Sequence, residues 1–279
     1  MMKQRIIQTM WFRPMKGDVF PHLRLAYASA KSIKEQGYEL ALYTDHPEYF
    51  NEFPYDDVIM IDMKDYNPRL FSTVKYIALA QEPLGTIHLD YDIILNKSCI
   101  THDFGSDIIV QSRENFPYSV EKRFMYDNYI PKWIGEIGLN DFPFNVGVIG
   151  FFNHDAWNVF FENFIDAAVH YKTINIPEYI NLDFLFEQSF ISRLSEVKKY
   201  NVSFIYEYPR IKHIESNNYV ENKVLGFTHY YGKSKFKKAI VDRYTQLLSE
   251  EDFNKLDRIG ETKNHTDNGE VNGVAQSGS

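Results

Sequence analysis

Thr86-Ile87-His88-Leu89-Asp90-Tyr91-Asp92-Ile93-Ile94-Leu95 is the stretch on which the reading of this chain turns. An apolar run ends in an Asp-Tyr-Asp triplet, and a second apolar run follows it at once. The first run reads as a buried strand. Two carboxylates one residue apart at its end are costly, because a buried charge needs a partner. A divalent cation is a fitting partner, since hard cations take oxygen ligands. The plain alternative is a pair of surface carboxylates at a strand end.

Upstream of the triplet, apolar runs alternate with helical patterns. Arg5 to Trp11 reads as a strand, and Pro21 to Gln36 as a helix stopped by Gly37. Leu40 to Tyr43 and Val58 to Ile61 are further strands, and Leu70 to Gln81 is helical. This alternation predicts an α/β fold with a mostly parallel central sheet flanked by helices. Ligands of such sheets bind beyond the carboxyl ends of the strands. Trp11, Thr44-Asp45 and the triplet all fall at such ends.

Downstream, Ile108 to Gln111, Val146 to Phe152, Val202 to Tyr206 and Leu225 to Tyr230 read as strands. Ala156 to Tyr171, Asn181 to Leu194 and Lys237 to Leu248 read as helices. The aromatic-rich segment from Arg113 to Phe144 reads as irregular, serving as an acceptor platform or as ordinary core and lid. One domain is expected over 1–258. The polar, Gly/Asn/Ser/Thr-rich stretch 259–279 is expected to be a disordered tail.

The composition is that of a globular protein: 279 residues, 44% hydrophobic and 24% charged. A net charge of −8 disfavours a nucleic-acid partner. Twenty Tyr and 22 Phe supply flat faces suited to core, sugar or base. The single cysteine, Cys99, fits a reducing compartment. No apolar run approaches the ~20 residues of a membrane span, and Met1 to Arg13 lacks a leader's long apolar stretch. A cytoplasmic location is the expectation.

Three other constellations bear on chemistry. Thr228-His229-Tyr230-Tyr231-Gly232-Lys233-Ser234-Lys235 closes another strand. It offers a metal-ligating imidazole, a glycine that admits a phosphate, and ammonium groups. A satisfied strand-end histidine and a solvated helix start are the plain alternatives. Phe144-Asn145-Val146-Gly147 places an amide and a glycine before a strand, either as a turn or as contacts to a sugar. Asp183 and Glu187 share a helix face, which is either solvated or turned into a site.

Taken in order, Asp90-Tyr91-Asp92, Asn145-x-Gly147, Glu187-Gln188 and His229-x-x-Gly232-x-x-Lys235 resemble a family. The pattern is similar to the metal-dependent glycosyltransferases of the GT-A fold, in particular retaining family 8, the galactosyltransferase and glycogenin-like enzymes. The resemblance spans roughly residues 1 to 240 as ordered motifs. It implies that Asp90, Asp92 and His229 hold Mn2+ or Mg2+ against the diphosphate of a nucleotide sugar, UDP by default. It implies that Lys235 and Gly232 attend the diphosphate, that Lys75 is the family's basic residue on the helix before the triplet and belongs to the donor site, and that Met10, Trp11, Thr44, Asp45 and Tyr91 border the nucleotide. Asn145, Gly147, Glu187 and Gln188 would line the sugar, with Gln188 near the anomeric carbon. A glycan, a lipid-linked sugar or a protein would be the acceptor. The sequence departs from the family in having Glu187 where Asp is usual, and Phe236-Lys237 where Pro-Trp is usual.

Glu187 and Asp183 are the nameable bases for an inverting reaction. Retention, which needs no strong base, is the family's expectation. Two other functions compete. A haloacid-dehalogenase-type phosphatase would use Asp90 as nucleophile, but it would carry its triplet near the chain start and a later pair of aspartates. A binding protein for nucleotide sugar or glycan would keep the site without turnover.

Overall fold

The computed structural model describes residues 4–15, 18–98, 100, 105–114, 119–139, 142–206, 219–222, 226–230 and 235–267. Cys99 and Gly232 lie outside them. The chain opens with β1 (Arg5–Met10), α1 (Phe20–Glu35), β2 (Glu39–Thr44), β3 (Asp57–Met60), α2 (Thr73–Leu79), β4 (Ile87–Leu89) and β5 (Ile93–Leu95). Next come β6 (Ile108–Arg113), α3 (Ser119–Asn128), α4 (Lys132–Ile137), β7 (Phe144–Phe151) and α5 (His154–His170). A π-helical stretch, Phe184–Ser189, runs straight into α6 (Phe190–Lys198). The described chain closes with β8 (Val202–Phe204), β9 (Tyr219–Asn222), β10 (Phe227–Tyr230), α7 (Lys238–Thr245) and α8 (Glu250–Asp267).

Seven strands form the central sheet in the order β3-β2-β1-β4-β7-β6-β8. All neighbours are parallel except β7, which runs against both β4 and β6. The mixed α/β architecture expected from the alternating runs is therefore the one observed. The strands read as unbroken apolar runs because both sheet faces are covered. Tyr76 of α2, Phe160 and Phe164 of α5, and Phe190 of α6 fill one side. On the other, Ala30 and Ile33 of α1 pack against Ile6 and Leu40.

A second sheet, β5-β10-β9, is antiparallel. It pairs His229 with Ile93 and Thr228 with Ile94. The run that follows the triplet thus docks a strand that lies more than 130 residues later in the chain.

Two expectations need correction, and one strand was not expected. Arg113 to Phe144 is not irregular, since it carries α3 and α4. Trp133 is buried and stacks on Phe190 at 4.0 Å, whereas Tyr126 is exposed. Pro131 and Gly138 bound the second helix. The helix expected from Asn181 is present, with the π-helical turn inside its first half. The tail boundary at 259 falls inside α8, which is helical to Asp267. A cap fixes its start: Ser249 Oγ accepts from Asp252 N–H at 3.2 Å, and Asp252 accepts from Ser249 N–H at 2.8 Å. Leu256 and Ile259 then pack on Leu23, Ala26 and Tyr27 of α1. Finally, β9 was absent from the sequence reading. No helix among the described residues is long and apolar enough to cross a membrane.

Candidate metal centre

The site grows from the end of β4. The antiparallel partner β7 holds the turn after Leu89, with Asp90 N–H donating to Gly147 O at 2.8 Å. From the other side β10 closes on Asp92, whose carbonyl accepts from Tyr230 N–H at 3.0 Å. Asp90, Asp92 and His229 thereby converge, each offering an atom within 4.8 Å of the others. His229 Nε2 lies 3.1 Å from Asp92 Oδ1 and 4.0 Å from Asp90 Oδ2.

The imidazole is oriented from behind. Gln111 of β6 donates its amide N–H to Tyr206 Oη at 2.7 Å and turns its oxygen to His229 Nδ1 at 2.8 Å. Nδ1 therefore carries the proton, and the Nε2 lone pair faces the carboxylates. Gly147 makes this packing possible. A Cβ there would meet His229 Cε1 at 2.5 Å and Gln111 Oε1 at 2.6 Å. The space expected for a sugar at Gly147 is thus taken by the histidine.

Two lysines flank the triplet. Lys75 of α2 is buried; its Nζ donates to Val146 O at 3.0 Å and Glu187 Oε1 at 2.8 Å, and lies 3.3 Å from Asp90 Oδ1. Tyr76 Oη donates to the same Glu187 oxygen at 2.7 Å. Lys235 Nζ donates to Asp92 Oδ2 at 2.7 Å and to Tyr91 Oη at 3.2 Å. It stands 4.7 Å from the centre of the Tyr91 ring. His22 Nδ1 is 2.6 Å from Tyr91 Oη. Burial, then nearby Lys235, push the His22 pKa down to about 4.

These charges do not balance. Three carboxylates, Asp90, Asp92 and Glu187, face two ammonium groups, which leaves one negative charge. Burial works against the ionised form of Asp92, but the Lys235 ammonium outweighs it and holds the carboxyl well below the usual range. Asp92 Oδ1 is buried without a hydrogen-bond partner. An imidazole lone pair and a carboxylate oxygen thus face each other at 3.1 Å. That is close to the ~3 Å edge between adjacent ligands of an octahedral ion with bonds near 2.1 Å. The donor set, one nitrogen and hard oxygens, suits Mn2+ or Mg2+.

Other expected residues are placed as follows. Asp183 is fully buried and engaged with the start of α2. It accepts from Phe71 N–H at 3.0 Å, Ser72 N–H at 3.2 Å and Ser72 Oγ–H at 2.6 Å. Burial, aided by Glu187, raises its pKa to about 7 against those hydrogen bonds. It anchors the helix that carries Lys75. Glu187 and Gln188 both lie on the π-helical turn, a form frequent at functional sites. Asn145 spends its amide inside the protein: Oδ1 accepts from Gly147 N–H at 2.9 Å, and Nδ2 donates to Glu114. Met10 and Thr44 face the core. Trp11 and Asp45 border a cleft of about 540 Å³ beyond the carboxyl ends of β1, β2 and β3.

Among the site residues missed in the sequence, Gln111 and Glu114 carried a signal. Gln111 is a polar interruption of an apolar strand, which marks a side chain with an appointed partner. Glu114 follows β6 directly, as Asp90 follows β4, and β6 runs parallel to β4. The strand-end logic applied to the triplet applies equally to it.

A family model described as a family of unknown function, DUF6734, matches residues 4–262. No curated protein matches the chain in sequence. Among solved structures, the galactosyltransferase LgtC in complex with donor and acceptor sugar analogues is 13% identical with a TM-score of 0.45, covering 90% of this chain and 100% of its own. The apo-form glycosyltransferase GlyE of Streptococcus pneumoniae TIGR4 is 12% identical with a TM-score of 0.49; the match covers 94% of this chain but only 64% of GlyE. The inositol-1-phosphate CTP transferase of T. maritima is 9% identical with a TM-score of 0.46, covering 88% and 96%. At TM-scores below 0.5 these likenesses carry no weight for function.

Proposed function

The chain belongs to DUF6734, a family of unknown function, and we propose that it is a metal-dependent GT-A-type glycosyltransferase of family 8 character. It moves a sugar from a nucleotide diphosphate sugar, UDP-linked by preference, to a hydroxyl of a glycan, lipid-linked or protein acceptor, in the cytoplasm. The observation that carries this reading is the convergence of Asp90, Asp92 and His229 between two lysines at the carboxyl edge of the sheet.

Asp90, Asp92 and His229 would hold Mn2+ or Mg2+. Bound there, the ion supplies Lewis-acid neutralisation of a departing diphosphate. The chain's own residues do the rest. Adding a dication turns the local charge from one negative to one positive, which suits an anion. Lys235 then has the anionic diphosphate as a partner beside Asp92, and its buried position strengthens that attraction. Gly232 admits the phosphate, and Trp11 and Asp45 border the nucleoside. Glu187, Gln188 and Asn145 line the sugar side. Tyr91 and His22 keep Lys235 in place.

Retention is part of the proposal. Of the two carboxylates considered as a base, Asp183 is committed to the start of α2 and Glu187 to Lys75 and Tyr76. The phosphatase reading fares worse. The triplet's cluster partner is an imidazole from β10, where that chemistry calls for further aspartates.

Release of nucleoside diphosphate from a panel of nucleotide sugars, followed by mass spectrometry with Mn2+ and with EDTA, tests the proposal. Metal-dependent release from at least one donor is expected. Release of inorganic phosphate from phosphomonoesters, with an aspartyl-phosphate trapped on Asp90, would replace it.

A further inference from the structure

His88 is almost fully buried, yet its Nδ1 has no hydrogen-bond partner. An orphaned buried polar atom is costly, because it has lost water and gained nothing in exchange. His88 lies on β4 and Asp90 directly follows that strand. His88 Nδ1 is 3.7 Å from Asp90 Oδ1, and its Nε2 is 2.9 Å from the Thr9 hydroxyl on β1.

These contacts fix the tautomer. A lone pair on Nδ1 would point at a carboxylate oxygen and repel it. A proton on Nδ1 points a donor there instead, with the Thr9 hydroxyl donating to Nε2. At 3.7 Å the pair lies roughly half an ångström or more beyond a hydrogen bond, so the hold of the N–H on the carboxylate is electrostatic. Asp90 Oδ1 then faces two N–H groups, Lys75 Nζ at 3.3 Å and His88. Its other oxygen, Oδ2, is the one that faces His229.

We propose that His88 is a positioning residue for the metal centre: from the Thr9 side it holds Asp90 Oδ1, so that Asp90 presents only Oδ2 to the cation. The inference rests on the metal reading of the preceding subsection and adds to it a device behind the triplet. His229 has the same device in Gln111 and Tyr206. Partners behind a metal ligand fix its orientation, and their loss typically costs ~10–100-fold in affinity.

Two amide substitutions separate positioning from mere core filling. In H88N the amide nitrogen falls near the Nδ1 position, so it keeps a donor toward Asp90 and loses Thr9. In H88Q the amide reaches toward Thr9 and leaves Asp90 without that donor. Mn2+ affinity of the full chain is read by electron paramagnetic resonance of the free ion, with a thermal melt of each variant. H88N is expected to keep wild-type affinity and H88Q to lose ~10-fold or more. Retained affinity in H88Q, or loss in both variants, overturns the inference. The 15N spectrum of the His88 ring gives a second reading that needs no metal. A proton on Nδ1 is expected, and a proton on Nε2 overturns the inference. A wild type that binds no Mn2+ sinks the metal reading instead, and the ring spectrum then decides the part concerning His88.

Discussion

Lys235 Nζ lies 2.7 Å from Asp92 Oδ2, with only 12% of the lysine side chain exposed. A buried ammonium thus occupies one oxygen of the carboxylate whose other oxygen faces His229. The lysine acts as a stand-in for part of the charge that a dication brings.

That contact predicts opposite effects on two ligands. In K235M the competitor for Asp92 is gone and the site carries one more net negative charge. Mn2+ alone should bind more tightly than to wild type in a calorimetric titration. Nucleoside diphosphate in the presence of Mn2+ should bind more weakly, and donor turnover should fall ~10^2–10^3-fold, the usual worth of one electrostatic donor. Weaker binding of Mn2+ alone would contradict the stand-in role.

Gly147 is predicted to be intolerant of any side chain. A Cβ at 2.5 Å from His229 Cε1 must move the ring or the strand. Overpacking of this kind costs ~1–3 kcal/mol, so G147A should melt lower. Because the displaced group is a proposed ligand, Mn2+ affinity should fall as well. Normal Mn2+ affinity in a destabilised G147A would show that His229 does not hold the ion.

Asp183 predicts a pH dependence of stability. Its folded pKa is about 7, above its ordinary value of 3.8. Between those values the native state binds the proton more strongly than the unfolded chain. Stability from this group is therefore fullest below about pH 4 and falls as pH rises toward 7. D183N removes the titration. From pH 5 to pH 8 the stability advantage of wild type over D183N should shrink by roughly 2–3 kcal/mol, measured by urea unfolding. An advantage that stays constant would place the Asp183 pKa near its ordinary value.

The stereochemical proposal is decided by the anomeric configuration of the product, read by NMR. Retention is expected, because Asp183 and Glu187 are both engaged. An inverted product would point to Glu114, at the end of β6 beside Asn145, as the base.

Much of this arrangement was legible in the sequence, for a physical reason. β1, β2 and β4 are short and buried on both faces, so their apolar runs stand out, and residues at their carboxyl ends fall on one edge. What the sequence hid was pairing across distance. Nothing local announces that Ile93 will lie beside His229, because strand register is set by the folded partner. The role of Gly147 was hidden likewise, since the group that needs its space comes from β10. The start of α8 was readable in retrospect: Ser249 and Asp252 form a cap, and Phe253, Leu256 and Ile259 follow at helical spacing. The polar composition of the stretch beyond Gly260 outweighed that signal.

The central claim is that Asp90, Asp92 and His229 bind a dication that in turn binds a nucleotide sugar. Thermal denaturation of wild type and D92N with a panel of nucleotide sugars, each in Mn2+ and in EDTA, tests it most directly. A bound donor stabilises by RT ln(1 + [L]/Kd), about 2.7 kcal/mol at a hundredfold excess over Kd. Wild type should be stabilised by at least one donor in Mn2+ but not in EDTA, and D92N by none. Equal stabilisation in EDTA, or in D92N, or no stabilisation of wild type by any nucleotide sugar, would contradict the account.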